Sequence, residues 1–263
     1  MDAHQIDPRE AISQHRAEQI NRSMLLRSLM SHKKWMIEVE PPEQSASGER
    51  SQPKVKVQVG EDGKRSVRLF SDEQAAKDYM VRHGRDALSE HLIEAPGFAA
   101  FSVLNPELDF VVINPESNPE LRYEKEQIPM LRAWASAVEI ERVLATLDDS
   151  PEAFARIKRH PAFFLVTSSV TSSLGNHESL VMAPDDEGRK LAAVFTAEDC
   201  CEAFVAAASA ALQTAPKVKP VSGVQMCKLL SETKADGVVF NCLGPVHPYA
   251  FSAEMFQLVL NAP

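Results

Sequence analysis

The sequence predicts an α+β protein of two similar domains, each a small, mostly antiparallel or mixed sheet with helices packed on it. Three observations carry this expectation. An ordered set of landmarks occurs twice: His32, Trp35 to Val39, Glu61-Asp62-Gly63-Lys64-Arg65, Val67 to Phe70, Ser71 to Val81 and Phe110 to Asn114. Between 125 and 128 residues later come His160, Phe163 to Val166, Asp186-Glu187-Gly188-Arg189-Lys190, Ala192 to Phe195, Thr196 to Ala208 and Gly237 to Asn241. So small a drift in register across so many landmarks marks a duplicated domain. Strands also come in runs with helices between them, which favours helices on one face of a sheet over a doubly wound parallel sheet. Finally, 263 residues suit two ordinary domains, each long enough to bury its own core. Residues 1–24 read as an N-terminal helical extension, 25–147 as the first domain and 148–263 as the second.

Element by element, Asp7-Pro8 is a good cap and first-turn pair. Ile12, Gln19, Ile20, Met24, Leu25, Leu26 and Leu29 follow at roughly helical intervals, so residues 7–31 predict one long helix. Trp35 to Val39 predicts a strand, stopped by Pro41-Pro42. Glu43 to Gln52, polar with three Ser and one Gly, predicts a mobile loop. Val55, Val57 and Val59 alternate with Lys56 and Gln58, the pattern of a half-buried strand, and Ser66 to Phe70 supplies the returning arm of an antiparallel hairpin. Ser71 caps a helix that ends before Gly84. Residues 86–95 and Phe98 to Leu104 predict two more helical pieces. The apolar run Phe110 to Ile113, bounded by Asp109 and Asn114-Pro115, predicts a central strand, and Leu121 to Glu124 a short one.

Residues 125–146 predict a long helix joining the halves. Trp134 and Val138, then Ile140 and Leu144, lie four apart on it, which is more apolar surface than one domain requires. The surplus predicts packing against the second domain or the N-terminal helix. In the second half, Asp149-Ser150-Pro151-Glu152 restarts a helix that Pro161 ends, and Phe163 to Thr167 predicts the first strand. Thr167 to Ser173 holds six hydroxyl residues around Val170 and reads as solvated strand-to-loop sequence, with a ligand-facing loop as the alternative. Glu178 to Met182 and Lys190 to Phe195 predict the hairpin, Ala197 to Leu212 and Ser222 to Ser231 two helices, and Gly237 to Asn241 the central strand. Ser252 to Asn261 predicts a terminal helix with Met255, Phe256 and Leu258 to Leu260 turned inward.

Composition narrows the function. With 44% hydrophobic and 25% charged residues the chain is built to fold. Residues 1–150 hold 19 Lys and Arg against 26 Asp and Glu, and the rest hold 9 against 11, so the net charge of −9 sits mainly in the first half. Phosphate-backbone binding needs a concentrated positive field, so nucleic acid is not the expected partner, whereas a basic or neutral protein is compatible. No stretch approaches a membrane span. The N-terminus has no apolar secretory core, and Cys200, Cys201, Cys227 and Cys242 lack metal-ligand or Cys-x-x-Cys spacing. Reduced thiols in a cytoplasmic protein are therefore expected.

Candidate site residues are few, and no cofactor or metal is expected. Cys242 and His247, five residues apart after a central strand, are the candidate reactive pair, since a thiol nucleophile needs a base within hydrogen-bond reach. The alternative is a turn thiol and a surface His. Adjacent Cys200 and Cys201 on a helix predict one core and one boundary residue. His32 and His160 are matched helix C-terminal residues, where a cation suits the helix dipole. Asn114 and Asn241 are matched polar residues ending buried strands. They read as turn-forming side chains, with a small ligand pocket in the following loop as the rival. Glu61 and Asp62, in the acidic first half beside the Glu43 to Gln52 loop, are candidates for contacting a partner.

Each half resembles the N-terminal domain of the SseB family of enhanced-serine-sensitivity proteins. The resemblance rests on Val67-Arg68-Leu69-Phe70-Ser71-Asp72-Glu73, Val111-Val112-Ile113-Asn114-Pro115 and Glu124 to Ile128 in the first half. In the second it rests on Ala193-Val194-Phe195-Thr196-Ala197-Glu198, Ser222-Gly223, Val238-Val239-Phe240-Asn241 and Ser252-Ala253-Glu254-Met255. It covers most of residues 25–146 and 153–260. Two departures stand out: Cys242 replaces the family's Pro after the strand Asn, and Pro96-Gly97 stands where a Ser-Gly step is expected. The resemblance implies a bacterial cytosolic domain associated in part with type III secretion, and it brings no catalytic residues. The expected function is thus a non-catalytic protein-binding module, chaperone-like, regulatory or immunity-conferring, with a secreted effector or toxin as a partner class. The alternative is a small enzyme or ligand sensor using the loops after Asn114 or Asn241.

Overall fold

A computed structural model describes residues 6–40, 54–85, 91–146, 150–172, 175–212 and 214–263. The chain forms two compact units, Met1–Ala135 and Ser136–Pro263. Unit 1 runs α1 (Pro8–Arg16), α2 (Arg22–Ser31), β1 (Trp35–Glu40), β2 (Lys54–Val55), β3 (Gln58–Val59), β4 (Arg65–Phe70) and α3 (Glu73–Arg82). It continues with β5 (Leu92–Ala95), α4 (Gly97–Ser102), β6 (Phe110–Ile113), β7 (Leu121–Glu124) and the start of α5 (Ile128–Ala145). Unit 2 takes the rest of α5, then α6 (Pro151–Arg159), β8 (Phe163–Ser172), β9 (Gly175–Leu180), β10 (Met182–Pro184), β11 (Lys190–Phe195) and α7 (Glu198–Ala211). It ends with β12 (Lys217–Val221), α8 (Gly223–Ser231), β13 (Gly237–Phe240), β14 (Tyr249–Ser252) and α9 (Ala253–Asn261).

Both units build the same mixed sheet. In unit 1 the strand order is β5-β1-β4-β6-β7, with β2 on β1 and β3 on β4; in unit 2 it is β12-β8-β11-β13-β14, with β9 on β8 and β10 on β11. Only β4–β6 and β11–β13 are parallel among the described pairs. The equivalence holds at residue level. Met36 pairs with Phe70 as Phe164 pairs with Phe195, and Val111 faces Tyr123 as Val238 faces Phe251. The amide of Lys56 donates to the Glu38 carbonyl at 2.9 Å, and that of Val181 to the Val166 carbonyl at 2.9 Å.

Two glycines lock a helix onto the chain in each unit. The amide of Gly97 donates to the carbonyl of His32 at 2.7 Å, and that of Gly223 to His160 at 2.8 Å. A Cβ at Gly97 would overlap the backbone of Leu29 and Met30, and one at Gly223 that of Ile157 and Lys158. Backbone cannot retreat cheaply, so only glycine fits. Pro96-Gly97 therefore occupies the place of Ser222-Gly223.

Several local expectations are corrected. Residues 7–31 form two helices, because Glu18 turns at φ 58° and Asn21 caps a new helix, its side chain accepting from the Met24 amide at 2.9 Å. The helix after Phe70 is capped by Asp72, not Ser71. Residues 92–95, expected to be helical, form an edge strand on β1, and residues 86–90 lie outside the described set. Val55, Val57 and Val59 do not make one half-buried strand: β2 follows β1, β3 follows β4, and Val59 is 66% exposed. β8 runs on to Ser172, zipped to β9, so most of the hydroxyl-rich stretch is strand. Thr167 and Ser168 are buried, and Ser173 lies outside the described residues. Met255 and Leu258 of the last helix face outward. The Glu43 to Gln52 loop lies outside the described residues.

Candidate functional site

The residues matched between the two halves converge on one backbone node in each unit. Asn114 and Asn241 are wholly buried and adopt left-handed backbone, φ 51° and 56°. Asn tolerates that region better than most residues because its short side chain bonds locally. Asn114 Oδ1 accepts from the Ser71 amide at 2.8 Å, and Asn241 Oδ1 from the Thr196 amide at 2.9 Å. Each side chain thus ties the end of the parallel strand to the residue following its neighbour. The amide nitrogens of both are buried with no partner. His32 Nε2 meets the Ser71 carbonyl at 3.0 Å, while His160 Nδ1 meets Ser136 Oγ at 2.9 Å and its ring lies 4.4 Å from that of Phe163.

The two histidines do cap α2 and α6, but the cationic role expected of His160 is overturned. Burial holds its ring down at about 4, against the opposing pull of the Ala162 and Thr196 backbone groups, so it is neutral at neutral pH. Burying the charge costs more than a helix dipole returns, at most about 2 kcal/mol.

Replacing Asn241 with Ala should cost about 2 kcal/mol, because the buried Thr196 amide loses its acceptor and Ala is strained at positive φ. Asn241→Gly should recover only the backbone part of that loss. Denaturant unfolding that ranks both variants with the native chain would contradict the assignment.

The structure does not bring Cys242 and His247 together as a hydrogen-bonded pair. Cys242 is half-buried, and burial pushes its thiol up to about 11, leaving little thiolate at neutral pH. His247 is exposed, stacks edge-on against Tyr249 with ring centroids 5.2 Å apart, and shares no hydrogen bond with Cys242 among the described residues. Cys201 and Cys227 are likewise raised to about 11 by burial. Cys200 and Cys201 are both core residues, 0% and 2% exposed, where one boundary residue was expected. No group of three potential metal ligands occurs among the described residues, and no helix among them is long and apolar enough to cross a membrane.

Glu61 and Asp62 occupy an exposed hairpin turn. Gly63 supplies φ 75°, and Asp62 accepts from the Lys64 amide at 3.2 Å and pairs with its ammonium at 3.3 Å. The Asp185 to Arg189 turn repeats this, with Gly188 at φ 78° and Asp185 holding the Arg189 guanidinium at 2.6 Å. Hydrogen bonds from the turn, led by the Lys64 amide in one and the Arg189 side chain in the other, keep both carboxyls below the ordinary range. Both carboxylates close their turns in the same way.

Two recesses in unit 1 were not anticipated. An open cleft of about 640 Å³ is lined by Ser28, His32, Lys34, Ser71, Asp72 and Glu94 among others, and its charges are largely paired: Arg9 with Asp72 at 2.7 Å, Lys34 with Glu94 at 3.3 Å. A second, of about 390 Å³, lies between the β2–β3 segment and α3 and gathers Lys56, Gln58, Arg68, Tyr79, His83 and Arg85. These residues are scattered over thirty positions and carry no motif spacing. The one available signal was the loss of all their charges from the second copy.

No protein-family model matches the chain, and no curated protein matches it. Among solved structures, Anabaena Tic22, a protein of protein transport, matches with 8% sequence identity over 82% of this chain and 88% of that one, at a TM-score of 0.22. At that score the likeness carries no argument about fold or role.

Proposed function

We propose that the chain is a non-catalytic scaffold that binds another protein, with the outer edge of β14 as its docking strand. The observation that supports this is an unguarded sheet edge. β14 pairs with β13 alone among the described strands and reads Tyr249-Ala250-Phe251-Ser252, without a charge or a proline. Exposed edges normally carry such guards, because a free row of amides and carbonyls invites another strand. The other edges do. β12 carries Lys217, Lys219 and Pro220; β5 carries Glu94 paired with Lys34; β7 carries Arg122 bonded to Glu124 at 2.7 Å. Ala250 and Ser252 are the counterparts of Arg122 and Glu124, and both are exposed. On the helix that follows, Met255 and Leu258 add exposed apolar surface at 39% and 51%. An extended segment of a partner could add a strand there and lay side chains on that surface. The SseB resemblance would supply the partner class, a secreted effector or toxin. The raised Cys242 thiol gives the alternative reading as a thiol enzyme no support.

Affinity capture from the native organism should recover a partner with the native chain and lose it with Ala250→Lys, a surface change expected to alter stability by less than about 0.5 kcal/mol. Recovery of the same proteins by both chains, or of none by the native chain, would refute the β14 assignment.

A further inference from the structure

We propose that unit 1 binds a phosphate monoester dianion in the recess between the β2–β3 segment and α3. This goes beyond the β14 reading and does not depend on it. The recess forms where β1 and β4 part. Their pairing ends at Ile37–Leu69, and β2 and β3 each follow one of the diverging strands. Glu38, 2% exposed, is the buried acid of the site, holding Lys56 Nζ at 3.0 Å, Gln58 Nε2 at 2.8 Å and the Arg85 guanidinium.

Two cations, Lys56 and Arg85, therefore share one carboxylate, with Arg68 beside them. Arg68 stacks over the Tyr79 ring at 4.8 Å and has no ion pair among the described residues. Arg85 lies 5.5 Å from the same ring, and its Nη2 is buried without a hydrogen-bond partner. On the α3 side Glu116 meets His83 at 2.7 Å and Arg82 at 3.4 Å, so that carboxylate is spent on its own neighbours. The residual charge of Lys56, Arg68 and Arg85 against Glu38 is two positive units. A buried, unpartnered guanidinium nitrogen is costly to leave empty.

The second copy of the fold is an internal control. By strand register and helix position, Glu38, Lys56, Gln58, Arg68, Tyr79 and His83 correspond to Val166, Val181, Ala183, Ala193, Phe204 and Ala208. The aromatic contact persists, Phe70–Tyr79 at 5.5 Å against Phe195–Phe204 at 5.3 Å, while every charge is gone. The fold thus closes this face with apolar residues alone. Burying the Glu38 carboxylate where Val166 serves in the second copy does not repay itself in stability, so the charges gathered on it need another reason.

A phosphate monoester supplies that reason. Its two negative charges match the residual two positive ones, and guanidinium forks bind phosphate oxygens in pairs. The recess, at about 390 Å³, is larger than one phosphate group needs and falls at the small end of ligand pockets. Val57 and Val59, 38% and 66% exposed, offer apolar rim to the organic part.

Calorimetric titration with inorganic phosphate, phosphoserine and a phosphoserine peptide tests the site. Saturable binding is expected, with Arg68→Gln weakening it at least about tenfold and Lys64→Gln, an equal loss of charge on an exposed turn of the same unit, leaving it unchanged. Arg68 is the variant of choice because Glu38 keeps all its partners. Phosphoserine binding most tightly supports a small monoester, and the peptide binding most tightly supports the same dianion site filled from a phosphoprotein. Inorganic phosphate binding as tightly as either would remove the monoester. No saturable binding of any of the three up to about 10 mM, or equal weakening by both substitutions, would overturn the site.

Discussion

Replacing Phe195 with Ala is expected to destabilise unit 2 by about 3–5 kcal/mol, read as a shift in the denaturant midpoint. Phe195 closes β11, is wholly buried, and packs its ring 5.3 Å from that of Phe204 on α7. It is paired across the sheet with Phe164, so the vacated volume is bounded by strand backbone on one side and a helix on the other. Neither can collapse into it, which puts the cost at the upper end for large-to-small changes. Against a typical total of about 5–15 kcal/mol, such a loss is a large fraction of what holds a domain together. Phe70, 1% exposed and 5.5 Å from Tyr79, should behave alike in unit 1. A loss below about 1 kcal/mol at either position would contradict its placement between sheet and helix.

That both phenylalanines could be placed from sequence shows where the sequence speaks clearly. Apolar runs bounded by caps and turns, such as Phe110 to Ile113 and Val238 to Phe240, are read correctly because the burial that drives folding is written in them directly. The duplication adds a second reading of each. Failures cluster where tertiary pairing overrides local pattern. Leu92-Ile93-Glu94-Ala95 has fair helix propensity and becomes a strand because β1 offers a free edge. Val55, Val57 and Val59 alternate faultlessly, yet the segment changes partner between β2 and β3, so Val57 and Val59 stay exposed. The turn at Glu18 has no glycine or proline to announce it.

The candidate residues were legible as positions more than as roles. Asn114 and Asn241 were found because they match, and both share left-handed backbone and the same side-chain bond to the neighbouring strand's end. The phosphate recess was illegible by spacing. Glu38 and Arg68 come from strands, Lys56 from the β2–β3 link, Tyr79 from α3 and Arg85 from just beyond it, and only the folded sheet brings them together. What identifies it is a difference between copies, such as Arg68 against Ala193, seen only once register is known.

The last expectation concerns His160 and the acid side of the stability curve. Its ring is held at about 4 in the folded chain against the ordinary 6.5, burial being the principal cause. A folded-state value below the unfolded one means that the unfolded chain takes up a proton first as the pH falls. Stability from this group is therefore complete above 6.5, declines between 6.5 and 4, and is exhausted below. At about 1.4 kcal/mol per unit, the full span is worth about 3 kcal/mol. Many carboxylates titrate in the lower part of the same window, so the test is a difference. The stability gap between the native chain and His160→Gln should shrink by about 1 kcal/mol per pH unit from pH 6 to pH 4.5, because the variant has no proton to gain there. Part of the gap at pH 7 will be the contact to Ser136 Oγ at 2.9 Å, which Gln can partly replace and which does not titrate. A gap that stays constant, or widens on acidification, would mean that His160 is charged in the folded protein and that the helix dipole, not burial, governs it.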